Sequence, residues 1–185
     1  MHLTDYPDPS LQLAIDLVNT DHASRAREMM PDLAAARAFL GAHGIDDAFG
    51  EADLPRLRQL RAALRGVFEA GETRAAAERV NAILASYRAA PKITFCDGDG
   101  DAPARLEPDV CGDAVDYVGA AAGLALARVL CDAGAERLGV CSSETCRDAF
   151  VDVSKNCRKR FCGSDCARIT SVRNFRKRAR TKASA

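Results

Sequence analysis

The sequence predicts a mostly α-helical N-terminal body with a small β-hairpin, followed by a short β-ribbon and a terminal helix. Three observations predict it. Apolar side chains recur at helical spacing through the first half of the chain, four cysteines fall in two close pairs near the C-terminus, and charge is divided unevenly. The chain has 185 residues and 48% hydrophobic residues, enough to bury a core of its own. Its formal net charge of zero hides a division: residues 147–182 hold 12 Lys/Arg against 3 Asp/Glu, leaving 14 against 23 elsewhere. An acidic body carrying a basic tail points to a polyanionic partner such as nucleic acid.

In chain order, the segment Leu11–Asn19 puts Leu11, Ala14, Ile15 and Val18 on one helix face. Asp32 precedes a second helix that Gly41 and Gly44 stop. Asp53 is expected to cap a third, with Pro55 in its first turn and Gly71 at its end. A fourth runs from a Thr73 cap towards Pro91. KITFC and ARLEPDV then read as two strands around the turn DGDGDAP, and an Ala-rich helix follows from about Gly112 to Asp132, buried on more than one side. DGDGD lacks the Gly and Glu of a calcium loop, Ala102 and Pro108 standing in their places, so it reads as a solvated turn.

No run of 18 or more apolar residues is present, and the start has neither a basic nor an apolar signal region. The expectation is a cytoplasmic protein without a membrane partner. In that compartment eight cysteines are unlikely disulfides, and clustered ones mean metal. Cys141-x4-Cys146 and Cys162-x3-Cys166 stand 15 residues apart, two knuckles whose thiolates can converge into a tetrahedral S4 site. One structural Zn²⁺ is the expected cofactor; iron–sulfur ligation, the rival, favours closer spacing. Four thiolates leave no open coordination position. Cys157 reads as a bystander, and Cys96, Cys111 and Cys131 as small buried hydrophobes.

The stretch AFVDVSKNCRKRFC, Ala149 to Cys162, resembles the CGNR-type zinc finger, in which two cysteine pairs frame a similar segment. LAIDLVNT at 13–20 resembles the ABATE domain that usually precedes that finger. The resemblance covers nearly the whole chain and divides it into a body, 1–136, and a finger, 137–185. It implies a bacterial transcription regulator, often described as stress-induced, whose finger binds DNA. The family's naming motif is altered: Cys166-Ala167-Arg168-Ile169 stands where Cys-Gly-Asn-Arg is usual.

In the terminal helix, expected over about 163–180, Ile169, Val172, Phe175 and Ala179 share an arc expected to pack on the zinc ribbon. Arg173, Arg176, Lys177 and Arg180 form a basic stripe beside it, and Arg158, Lys159 and Arg160 approach from the preceding turn. These seven are the expected nucleic-acid contacts. Asn19, an amide at the end of an apolar helix face, and His22 are candidates for an effector pocket in the body, Asp16 and Arg25 being near in sequence. A homodimer is the other role open to the body. Three histidines with no paired nucleophile argue against an enzyme. The rival readings are a protein or RNA interaction module on the same zinc scaffold, and an enzyme with a structural zinc.

Overall fold

A computed structural model describes residues 8–22, 27–46, 48–95 and 104–183. The body begins with α1 (Pro9–Asn19), β1 (Asp21–His22), β2 (Arg27–Glu28) and α2 (Leu33–Ala42), and continues with α3 (Asp53–Phe68) and α4 (Thr73–Ser86). Then come the hairpin strands β3 (Ala90–Phe95) and β4 (Ala104–Asp109), the long helix α5 (Ala114–Ala133) and a 3₁₀ turn over Ala135–Arg137. The finger comprises β5 (Leu138–Val140), β6 (Ala149–Val151) and α6 (Ser164–Ala183). Each strand pair is antiparallel; β1–β2 is a short ladder that sequence periodicity did not announce. His2, Arg25, Cys96 and the DGDGD turn lie outside the described residues.

Helix starts follow the capping chemistry with two differences. Asp8 accepts from the Ser10 and Leu11 amides at α1, and Asp32 accepts from Ala35 N at α2. Asp113 and Asp116 form a reciprocal capping box at α5. Asp53, expected as a cap, is instead the first residue of α3, and its carboxylate accepts from Gly50 N at 2.9 Å. Thr73 likewise lies inside α4, where its hydroxyl accepts from Ala135 N at 3.2 Å. Both oxygens satisfy backbone amides of neighbouring turns instead of the free amides of their own helix.

Helix α5 is the centre of the body. It packs along α1 and α4, and twelve of its residues are buried, among them Val115, Val118, Leu126 and Val129. By length and composition it could cross a bilayer. Two-thirds of its apolar window is buried inside the fold, which is the behaviour of a core helix. Leu17 of α1 and Leu57, Leu60 and Leu64 of α3 complete the interior. Cys111, between β4 and α5, and Cys131, in the last turn of α5, are exposed, against the expectation of burial.

Arginines of α3 fasten the segment after α1. Arg61, 7% exposed, forks onto Glu28 at 2.7 and 2.6 Å and donates to the Thr20 hydroxyl at 3.0 Å. The Arg61 guanidinium, with a second hydrogen bond from Met30 N, outweighs burial and holds the Glu28 carboxyl below its usual range. Arg65 reaches the carbonyls of Val18 and Asp21, both at 3.0 Å, so α1, β1 and β2 are fixed on α3 by charge-assisted bonds.

The closest helix contact lies between α5 and the end of α4. A methyl group at Gly119 would overlap the Tyr87 ring, and one at Gly123 would sit 2.9 Å from Leu84 Cδ2. Alanine at 119 gains about 1 kcal/mol of helix propensity but faces an overpacking cost of about 1–3 kcal/mol. Gly119→Ala is therefore expected to lower the urea midpoint with an unchanged m-value; an equal or higher midpoint would show that Tyr87 swings aside freely.

Candidate metal centre and basic helix

Strands β5 and β6 frame the first knuckle. Cys141 follows β5 directly, and its amide donates to Asp148 O at 2.8 Å, closing the loop 141–148. Within it Cys146 N donates to Ser143 O at 3.1 Å, and Asp148 N points at Cys146 Sγ at 3.5 Å. Arg147 takes a left-handed φ of 67°, uncommon outside glycine. Its carbonyl accepts from Arg65 Nη1 at 3.2 Å and its guanidinium meets Glu69 at 3.2 Å, contacts that hold the turn from the body side.

The chain then loops out and returns with the second pair. Asp152, 2% exposed, organises this excursion: its carboxylate accepts from Ser154 N at 2.8 Å and Lys159 N at 2.7 Å. Burial alone would push the Asp152 carboxyl up, but these hydrogen bonds and the Arg137 charge bring it below its usual value. This is the physical content of the aspartate in AFVDVSKN. Ser142 N donates to Arg160 O at 2.8 Å, tying the returning strand to the first knuckle. Cys162 follows, and Cys166 lies in the first turn of α6.

The four sulfur atoms lie within 4.8 Å of one another. Cys146 and Cys162 are 3.5 Å apart, and Cys162 and Cys166 3.7 Å. A disulfide needs about 2.05 Å, whereas the edge of a tetrahedron of thiolates around zinc is about 3.8 Å for Zn–S bonds of about 2.3 Å. Burial pushes the Cys146 thiol strongly up and Cys162 up to about 12, Cys166 raising both while the Cys146 contact offsets part of the rise at Cys162. Cys141 also feels burial, but amides of Cys162 and Ser143 lower it below its ordinary value. A converging, half-buried set of this kind carries four negative charges only with a cation among them. The donor set fits one structural zinc, and Cys157, exposed at φ 48°, stands outside it.

The finger is clamped to the body through Asn19. Its Nδ2 donates to Ala149 O at 3.0 Å, and Ala149 N donates to its Oδ1 at 2.7 Å, so the carboxamide pairs with β6 as a neighbouring strand would. Leu138, Ala149 and Val151 join the same core as α1 and α3. The connection from α5 to β5 over Ala135–Arg137 is a packed 3₁₀ turn with Ala135 buried. Asn19 thus acts as a clamp between α1 and β6. Asp16 pairs with His43 at 3.6 Å, and for His22 only the backbone pairing with Arg27 is described.

The basic residues all face solvent where their side chains are described. Arg158, Lys159 and Arg160 are exposed, with Lys159 Nζ 5.0 Å above the Phe150 ring and Arg160 5.7 Å from the Phe161 ring. Arg173, Arg176 and Lys177 are exposed on α6, and Arg173 pairs with Glu144 of the first knuckle at 2.7 Å. Arg180 lies in α6, its side chain outside the description. Glu144 was not singled out from sequence, because nothing local shows that a knuckle residue meets a helix so far along the chain.

The apolar arc departs from expectation. Ile169, Val172 and Phe175 are 48%, 45% and 73% exposed and do not pack on the ribbon. Two causes combine. Leu138, Ala149 and Val151 of the ribbon are already turned into the body core, and Cys166 sets the rotation of α6. At about 100° per residue, Val172 points about 120° away from Cys166, and Phe175 about 180° away. Position 167 of the altered motif is helical, so alanine replaces glycine there without strain.

Two outcomes test the site. Purified protein is expected to hold one zinc per chain; Cys146→Ser or Cys162→Ser loses it and Cys157→Ser keeps it, as read by metal analysis. Asn19→Ala leaves both polar groups of the buried Ala149 unpaired, at about 1–3 kcal/mol each, and is expected to lower the melting temperature while Asn19→Asp recovers only part of the loss.

Residues 11–135 match the ABATE family, described as "Putative stress-induced transcription regulator", and residues 137–179 match the CGNR zinc finger. No curated protein matches the chain. With the four-cysteine centre in place behind a helical body, the chain belongs to the ABATE family and ends in a CGNR zinc finger that binds one structural zinc.

Proposed function

We propose that this protein is a cytoplasmic transcription regulator that binds duplex DNA through α6 and the loop before it. The observation that carries the reading is the charge of α6: seven Lys/Arg against one Asp, with Arg168, Arg173, Arg176 and Lys177 all exposed. Twenty residues make a helix about 30 Å long and about 10–12 Å across, a size the major groove admits. Arg158, Lys159 and Arg160 add cations whose backbone is fixed by Ser142 and Asp152. In this reading zinc sets the helix direction and does no chemistry, since four thiolates fill its coordination shell, and the protein is not an enzyme. The Arg173–Glu144 pair is exposed and worth at most about 1 kcal/mol, so a phosphate replaces the carboxylate at little cost. The body, in turn, supplies effector binding or dimerisation.

Arg173→Ala with Arg176→Ala removes two phosphate partners. The logarithmic salt slope of binding to a 20-base-pair duplex, read by fluorescence anisotropy, is expected to fall by about 1.8, at about 0.9 per contact, with zinc content unchanged. Equal affinity of the double variant and wild type at low and moderate salt would remove α6 from the interface. Stronger competition by a single-stranded RNA than by the duplex would favour the RNA-module reading instead.

A further inference from the structure

Among the described residues the apolar row of α6 stays half or more exposed at Phe175 and nearly half at Ile169 and Val172, and the zinc ligand Cys166 turns it away from the ribbon. Ile169, Val172 and Phe175 follow i, i+3, i+6 spacing, and basic side chains emerge within the same arc. On a helix of about 100° per residue, Arg176 projects between Val172 and Ile169, and Arg168 lies within about 20° of Phe175. Apolar and cationic groups are thus mixed on one face and not sorted to opposite sides. The remaining face carries Lys177 and Arg178 among the small polar residues Ser171 and Asn174, so cations surround the helix while the apolar side chains keep to one arc.

This mixture discriminates among occupants. A second copy of α6 laid face to face would bring its arginines onto these arginines, a like-charge contact with no acidic relief on the helix beyond Asp165. A core-like protein groove would leave Arg168 and Arg176 desolvated without partners. The major groove of duplex DNA offers both needed chemistries at the spacing of one helix width: phosphates along its walls and the C5-methyl groups of thymine on its floor. Resting on the DNA-binding reading above, we propose that Ile169, Val172 and Phe175 form an apolar reading edge of α6 that packs against thymine methyl groups, while the arginines within the same arc hold the phosphates on either side. Base preference would then come from an apolar row in addition to arginine–guanine bonds.

The test uses the full-length, zinc-loaded protein. A duplex is first selected by the wild type from a random-core library, then resynthesised with deoxyuridine in place of every thymidine, which deletes the methyl groups alone. Wild type is expected to bind the uridine duplex more weakly, by about fourfold for each methyl group it buries. Val172→Ala with Phe175→Ala should bind both duplexes equally with an unchanged salt slope, and Arg173→Ala with Arg176→Ala should keep the thymidine preference while its slope falls. Because these apolar side chains are exposed, zinc content and helicity should be unaffected. Equal wild-type affinity for the two duplexes, with salt-dependent binding intact, overturns the apolar reading edge and leaves DNA binding standing. Absence of salt-dependent binding to any duplex overturns both. Binding to anionic vesicles that requires Val172 and Phe175, without a thymidine preference, assigns the row to a membrane surface and also overturns the proposal.

Discussion

Four thiolates gathered within 4.8 Å are the constraint on which everything after Val151 depends. The two loops they close, 141–148 and 152–161, bury little of their own beyond Cys141, Ser143, Cys146 and Asp152. Such a unit is too small to be held by apolar burial, and metal ligation supplies the missing free energy, of order 10–16 kcal/mol in isolated finger peptides. The same coordination fixes the rotation of α6, since Cys166 lies in its first turn. What α6 shows to solvent is therefore decided at the metal.

The second constraint joins this unit to the body. Asn19 acts as one residue of backbone added to β6, and Arg65 and Glu69 grip the left-handed turn at Arg147. These contacts come from the ends of α1 and α3, where an exposed carbonyl or a charged side chain is available without breaking the helix ladder. Arg65 is shared: it binds Val18 and Asp21 on one side and Arg147 on the other. Movement of the α1–β1 corner would thus be felt at the knuckle, through a chain of direct hydrogen bonds rather than through bulk packing.

Much of this was legible in the sequence, and the misreadings share one physical origin. Helix faces, the cap at Asp32 and the cysteine pairs are local patterns, and they hold. Asn19 was conspicuous as an amide on an apolar face, yet its partner lies 130 residues away and no local signal names it. The same limit applies to Thr73 with Ala135 and to Glu144 with Arg173. Periodicity showed that Ile169, Val172 and Phe175 share a face but not what the face meets. That depends on the angle from Cys166 and on the ribbon's apolar side being taken by the body core. The burial expected of Cys111 and Cys131 rests on residue type alone, and type does not fix the face on which a residue lies.

A helix held by metal is released from the duty that ordinarily shapes a surface helix. An amphipathic helix must spend its apolar face on its own core, and its sequence beyond that face is free; α6 reverses the arrangement, because Cys166 anchors it at one end and Arg173, about two turns along on the same face, meets Glu144. Its apolar residues are then available to an external partner along with its cations. An exposed Phe175 beside Val172 and Ile169 would ordinarily invite self-association. Seven positive charges on twenty residues oppose that, since any approach of two such helices is repulsive until a polyanion neutralises them. The partner that screens the charge is then also the one that can cover the apolar row, which ties affinity and burial to a single surface.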